Sequence, residues 1–378
     1  MRRFFGVLAG LALALAAYLL LWPVPIAPQA WSAPEFAGYS GPHARNDRLA
    51  AARMVSVAPE IGPEHIAFGP DGKLYTGVLS GAVLRMDPDG TSVEQVVDTG
   101  GRPLGLDFDA AGRLVIADAL RGLLALETDG SVRVLTNSVG GDPIRYADAV
   151  MVAADGRMVF TDASQRMSPQ RYGTFDAALF DIIEQSCTGR VLEFDPAAGS
   201  TRIVATGLCF PNGVALTADE RSLIVAETGT YRVLKIDRGS NAIDAGKAVR
   251  DRSAGVAVLL DNLPGFPDNV TRGAEGRFWT GFTKPRSAAI DGMSGKPWLR
   301  SLTLRLPRTL WPVPAAYGHV IAFDEQGHVL LDLQDPSGQL PETSGATEHD
   351  GVLYVQSLHA DAFGVLPLRD VGVTPRSP

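Results

Sequence analysis

The sequence predicts an all-β chain, a six-bladed β-propeller behind an N-terminal transmembrane helix, and three observations predict it. A turn-and-strand motif recurs six times, and a second strand motif follows each copy. Gly and Pro are over-used, at 41 and 26 of 378 residues, about 18% where about 12% is average, so turns are frequent. Apolar content of 46% and charged content of 20% are those of a globular chain and exclude disorder and a coiled coil. A net charge of −8 without a basic stripe excludes nucleic acid as a partner.

Residues 1–22 come first. Met1, Arg2 and Arg3 precede nineteen uncharged residues, Phe4 to Trp22, about 28 Å of helix against a hydrocarbon core of about 30 Å. This reads as a signal anchor. The competing reading is a cleaved signal peptide, whose apolar region is usually about 7 to 15 residues long and ends in a small-x-small site. The two arginines keep the N-terminus in the cytoplasm and set the body on the periplasmic or extracellular side, anchored or, if cleaved, secreted. Residues 23–52, rich in Pro, Ala and Gly without periodicity, read as a tether and lead-in. The propeller occupies 53–372, with a tail at 373–378.

Within the propeller, the first motif begins at Asp71-Gly72, Ala111-Gly112, Asp155-Gly156, Asp219-Glu220, Glu275-Gly276 and Asp350-Gly351. The second begins at Gly81, Arg121, Gly189, Tyr231, Gly318 and Phe363. Each pair reads as neighbouring strands of one small sheet, and six such sheets bury their faces by radial packing at about 53 residues per blade. A β-sandwich or two unrelated β domains would not produce six paired repeats. Two segments, 163–188 and 281–317, separate the motifs more widely and are expected over one face of the disc. The second holds Trp298, Leu299, Leu302, Leu304, Leu310 and Trp311, which suits a lid, a membrane-facing surface, or a loop folded onto its own propeller.

No G-x-S-x-G elbow, H-E-x-x-H helix motif or P-loop occurs. Instead Glu64, Asp148, Asn212 and Asp268 with Asn269 stand at corresponding points, each just before a first motif. Any one alone is ordinarily a polar strand end. In a propeller, however, the innermost strands line the central channel, so these positions converge, and convergent carboxylates need a cation. Oxygen-only donors suit calcium and suit zinc or copper poorly.

At these residues the chain resembles the strictosidine synthase-like propellers, including those with a single-pass N-terminal anchor. The resemblance rests on Gly-Pro-Glu-His-Ile (62–66), Gly-Arg-Pro-Leu-Gly (101–105), Phe-Pro-Asn-Gly-Val (210–214), Val-Ala-Glu-Thr-Gly (225–229), Asn-Leu-Pro-Gly-Phe-Pro-Asp-Asn (262–269) and Glu-His-Asp-Gly (348–351). Arylesterase and lactonase relatives, paraoxonase-like and gluconolactonase-like, share a central-channel calcium. The resemblance implies calcium ligands at Glu64, Asn212, Asp268 and Asn269, with Asp148 where the family commonly has Asn. It does not extend to Pictet–Spengler condensation, because the position of that catalytic glutamate is Ser344 here.

The resemblance thus implies a membrane-anchored, calcium-dependent hydrolase of small esters or lactones. Asp268 is the candidate for activating water or attacking directly, and His65 for assisting proton transfer. Arg102, Glu227 and Arg232 are candidates for contacting substrate or supporting the ligands, while His349 and His359 read as packing or loop residues, with substrate contact the lesser alternative. The alternative is a non-enzymatic propeller whose ion only rigidifies the channel while the disc binds a partner. Cys187 and Cys209 flank an apparent hairpin, so a disulfide is feasible in an oxidising compartment.

Overall fold

Positive-φ glycines make the tight turns that the repeats require: Gly72 (φ 74°), Gly112 (φ 77°), Gly156 (φ 80°) and Gly351 (φ 73°) each reverse the chain between the first and second strands of a blade. Blade four has Glu220 in that conformation (φ 54°), and its carboxylate accepts the Ala154 N–H of blade three at 3.1 Å, which offsets the strain. The computed structural model describes residues 1–373; the rest of the tail, 374–378, lies outside the described residues.

Six blade sheets result, antiparallel except that blade three gains a short fifth strand, Ile243–Asp244, paired in parallel with Ser200–Leu208. Their innermost strands are Ile66–Phe68, Pro103–Phe108, Ala147–Val152, Pro211–Leu216, Gly265–Arg272 and Gly345–His349. Blade six is composite: its outermost strand is Arg53–Ser56, paired antiparallel with Ala362–Pro367 in the register Arg53↔Val365 to Ser56↔Ala362. The ring is therefore closed by both ends of the propeller sequence. Apolar side chains fill the wedges between blades, as where Tyr75 and Val83 of blade one meet Leu106, Ile116 and Leu124 of blade two.

Near the axis, glycine permits a closer approach. A Cβ on Gly213 would lie 2.0 Å from the Val270 nitrogen, and one on Gly105 2.7 Å from the Asp148 carbonyl oxygen. Neighbouring inner strands are thereby drawn together around the channel. Thr161 bridges two of them, accepting the Ala149 N–H at 3.0 Å and donating to the Asn212 carbonyl at 2.7 Å.

Helix α1 (Arg2–Leu21) has no buried residue and is long and apolar enough to cross a membrane. The two insertions carry helices α2 (Thr174–Glu184) and α3 (Pro297–Leu304), which cover one face. The lead-in threads between them. Ala27 N–H donates to Glu184 Oε2 at 2.8 Å, Gln29 N–H donates to the Glu184 carbonyl at 2.7 Å, and Arg300 reaches the Ile183 and Gln29 carbonyls. Ile26 is buried with Met167 and Phe180. Cys187 and Cys209 are joined as a disulfide, fixing the end of the α2 insertion beside the strand pair Gly189↔Leu208.

Candidate active site

Glu64, Asp148, Asn212 and Asp268 come together with Arg102 around one polar cavity of about 80 Å³ at the channel. Each is at most 4% exposed. Their fixed offset ahead of the hairpin turn places them at the axial ends of inner strands, and the close Gly105 and Gly213 contacts draw those ends together.

The electrostatics are those of a site short of positive charge. Burial, then Glu64, then Asp148 push the Asp268 carboxyl well above the ordinary aspartate range, while the Asn212 side chain opposes the shift. Burial and Glu64 do the same to Asp148. Glu64 is raised by burial, against the pull of Arg102, whose Nη2 donates to Glu64 Oε2 at 2.9 Å and to the Gly62 carbonyl at 3.2 Å. Asp148 Oδ1, Asn212 Oδ1 and Arg102 Nη1 are buried without a hydrogen-bond partner among the described residues. Three carboxylates against one guanidinium leave an excess of two negative charges, which a divalent cation neutralises, and the unpartnered oxygens are hard donors of the calcium type. The residues fit calcium.

Other residues singled out from the sequence lie elsewhere. Asn269 is buried, and its Nδ2 donates to the Glu64 carbonyl at 3.0 Å, which braces that strand end. Ser344 Oγ donates to the same carbonyl at 2.7 Å. His65 Nδ1 accepts the Leu106 N–H at 3.3 Å, and burial pushes its pKa down to about 4, so it is a neutral inter-blade contact. Glu227 accepts the Cys209 N–H at 2.9 Å and pairs with Arg232; neither lines the polar cavity. His349 stacks on Phe68 at 3.7 Å between ring centroids.

Two residues have roles at the cavity that their sequence positions did not reveal. His359 lines it, paired with Glu342 and edge-on to Phe175 of α2 at 5.0 Å. Tyr146 lines it too, its hydroxyl donating to the Thr174 carbonyl at 2.9 Å, so the floor is tied to the first residue of α2. A stronger inner-strand signal was present for Tyr146, two residues before Asp148; none existed for His359.

A separate cluster lies on blade five. Asp332 Oδ2 is 2.8 Å from His43 Nδ1 and 2.9 Å from His319 Nε2, and the three side chains could hold a metal. Burial opposes it, yet the hydrogen bonds from His319 and His43 hold the Asp332 carboxyl below its usual range. The cluster fastens the lead-in to the disc.

The model of the strictosidine synthase-like N-terminal region matches residues 41–86, and the strictosidine synthase model matches 148–236, which takes in Asp148 and Asn212. An adipocyte plasma membrane-associated protein from Salmo salar is 31% identical over 96% of this chain and 88% of its own. The chain belongs to the strictosidine synthase-like family. A second member of that family, strictosidine synthase-like 6 from Arabidopsis thaliana, is 33% identical over 75% of this chain and 71% of its own. Among solved structures, a gluconolactonase from Xanthomonas campestris superposes with a TM-score of 0.59 at 19% identity, covering 92% of this chain and 99% of its own. The calcium-binding protein regucalcin from Agrobacterium tumefaciens gives 0.57 at 13% identity, covering 84% and 93%. These superpositions show that this chain shares the fold of both proteins.

Proposed function

We propose that the protein is a membrane-anchored, calcium-dependent hydrolase of small esters or lactones. The observation that carries this reading is the pair of unpartnered oxygens, Asp148 Oδ1 and Asn212 Oδ1, beside three buried carboxylates and one guanidinium. Glu64, Asp148, Asn212 and Asp268 would hold the ion. Calcium bound there would supply a Lewis acid for a carbonyl oxygen. The gluconolactonase likeness supports the propeller as a frame for such chemistry, and the oxygen-donor set supports the metal.

The protein's own residues do the rest. Asp268, a carboxylate at the edge of the cavity, is the base that takes the proton of the attacking water. Water adds to the acyl carbon, the bond to the alkoxy oxygen breaks, Asp268 returns its proton to that oxygen, and the acid and alcohol leave. Arg102 holds Glu64 in place and keeps Nη1 available to a substrate oxygen. Tyr146 positions α2, whose Phe175, Ala178 and Ile182 close the cavity against bulk water.

Phenyl acetate and a lactone panel, assayed on the full-length protein with calcium and then with chelator, test the reading. Turnover is expected with calcium only, and Asp268→Asn should abolish it in a protein that remains folded. A calcium-stabilised protein inert on the whole panel would favour an ion that only rigidifies the channel.

A further inference from the structure

An apolar cavity of about 310 Å³ lies directly above the polar one, between α2, α3 and the lead-in. The two share Phe175, Ala178, Ile182, Thr283 and Leu358 as walls, so they adjoin. Trp31 of the lead-in closes one side, held by its N–H to the Ser294 carbonyl at 3.2 Å. The segment Arg308–Pro314 forms the mouth, where Val313 lines the cavity yet is 61% exposed and the adjacent Leu310 is 64% exposed. That segment follows α3, and the end of α3 is where the anchor docks. Arg305 donates through Nε to the Trp22 carbonyl at 2.6 Å and through Nη1 to the Leu19 carbonyl at 3.2 Å. A helix long enough to span a bilayer therefore ends beside the mouth, with Leu21 77% and Trp22 58% exposed at that end. Exposed aromatic and aliphatic side chains grouped at the end of such a helix suit the membrane interface.

We infer that the apolar cavity is the acyl-chain subsite of an ester drawn from the bilayer, with its carbonyl at the polar floor. This rests on the hydrolase reading above. The long apolar chain enters past Leu310 and Val313 and lies along α2, and the ester group reaches Arg102 and Asp268. Hydrolysis takes up one water and yields a fatty acid and an alcohol. Each methylene buried in the cavity raises kcat/KM about fourfold, the ordinary return for apolar transfer.

The test uses the full-length protein in phosphatidylcholine nanodiscs with calcium. Para-nitrophenyl esters from acetate through butyrate and octanoate to decanoate are assayed, and a diazirine-bearing decanoic acid is photocrosslinked and mapped by peptide mass spectrometry. Rising kcat/KM with chain length is expected, with labels in α2 and in 308–314 that decanoate competes away and acetate does not. Leu179→Trp, which fills the apolar cavity away from the polar floor, should remove the label and the chain-length dependence while acetate turnover persists. Arg305→Ala should slow hydrolysis of a bilayer-resident monodecanoyl glycerol several-fold and leave the water-soluble butyrate ester unchanged; equal effects on both would overturn entry from the bilayer. Turnover with a flat chain-length profile and labels confined to 2–22 would overturn the acyl subsite and leave the hydrolase. Labelling of the cavity without hydrolysis of any ester would overturn the hydrolase and keep the apolar subsite.

Discussion

Arg102 and Glu64 form an ion pair at 2.9 Å between blades two and one, each side chain only 4% exposed, at the edge of a cavity that also holds Asp148 and Asp268. Among the described residues it is the one guanidinium beside three carboxylates there, so its removal is felt by all of them.

Arg102→Met is therefore expected to destabilise the metal-free protein by about 3–5 kcal/mol, the cost of breaking a buried pair on one side. Added calcium should recover part of that loss, because the cation opposes the same charges. Urea unfolding with and without calcium reads both; equal losses in the two conditions would mean that the carboxylates do not share a cation.

Gly213→Ala puts a methyl group 2.0 Å from the Val270 nitrogen and 2.6 Å from the Asp268 carbonyl oxygen. The inner strands of blades four and five must separate, at about 1–3 kcal/mol of overpacking. Asn212 and Asp268 would then move apart, and calcium affinity should fall at least as sharply as stability. Isothermal titration of wild type and variant provides the comparison.

Helix α2 should loosen in mild base. Burial raises Asp181, on the buried face of α2, to about 7 despite the hydrogen bond from Ser164. An unfolded aspartate titrates near 4, so between the two values the folded state holds a proton that the unfolded state has released. Stability from this group is fully present below about pH 4 and is lost as pH rises through about 7. Hydrogen exchange in 174–184, corrected for intrinsic rates, should show more protection at pH 6 than at pH 8, and Asp181→Asn should remove the difference. Unchanged protection in the wild-type protein would contradict the assignment.

The Cys187–Cys209 bridge closes a loop with a sequence separation of 22. Replacing both with serine should cost about 3 kcal/mol through the entropy of the unfolded chain. Thermal melts of the double variant against the wild type, both at the same calcium concentration, measure it.

Six blades were readable because a turn glycine and an alternating strand are local signals, repeated often enough to expose a period. The four cavity residues were readable for the same reason: a constant offset from a turn becomes a constant radius in a propeller. Contacts between distant parts of the chain were not. Arg53–Ser56 closes blade six, yet its partner strand begins at Ala362; His43 meets His319 and Asp332; and His359 reaches the cavity from a loop with no repeat register. The lead-in was hardest, since Ile26 and Trp31 sit in a Pro-rich stretch without periodicity and pack against blade and insertion residues far along the sequence, Ile26 with Leu104 and Phe180 and Trp31 with Tyr231.

The composite sixth blade imposes an order on biosynthesis. Blades one to five can form their sheets as they emerge, but Arg53–Ser56, among the first propeller residues made, must wait for Ala362–Pro367, among the last. A chain cut short after blade five would carry an unpaired strand at its start and an open wedge at its end, both adhesive edges that quality control can detect. Closure of the ring thus reports that the last strand of the sixth blade has been made.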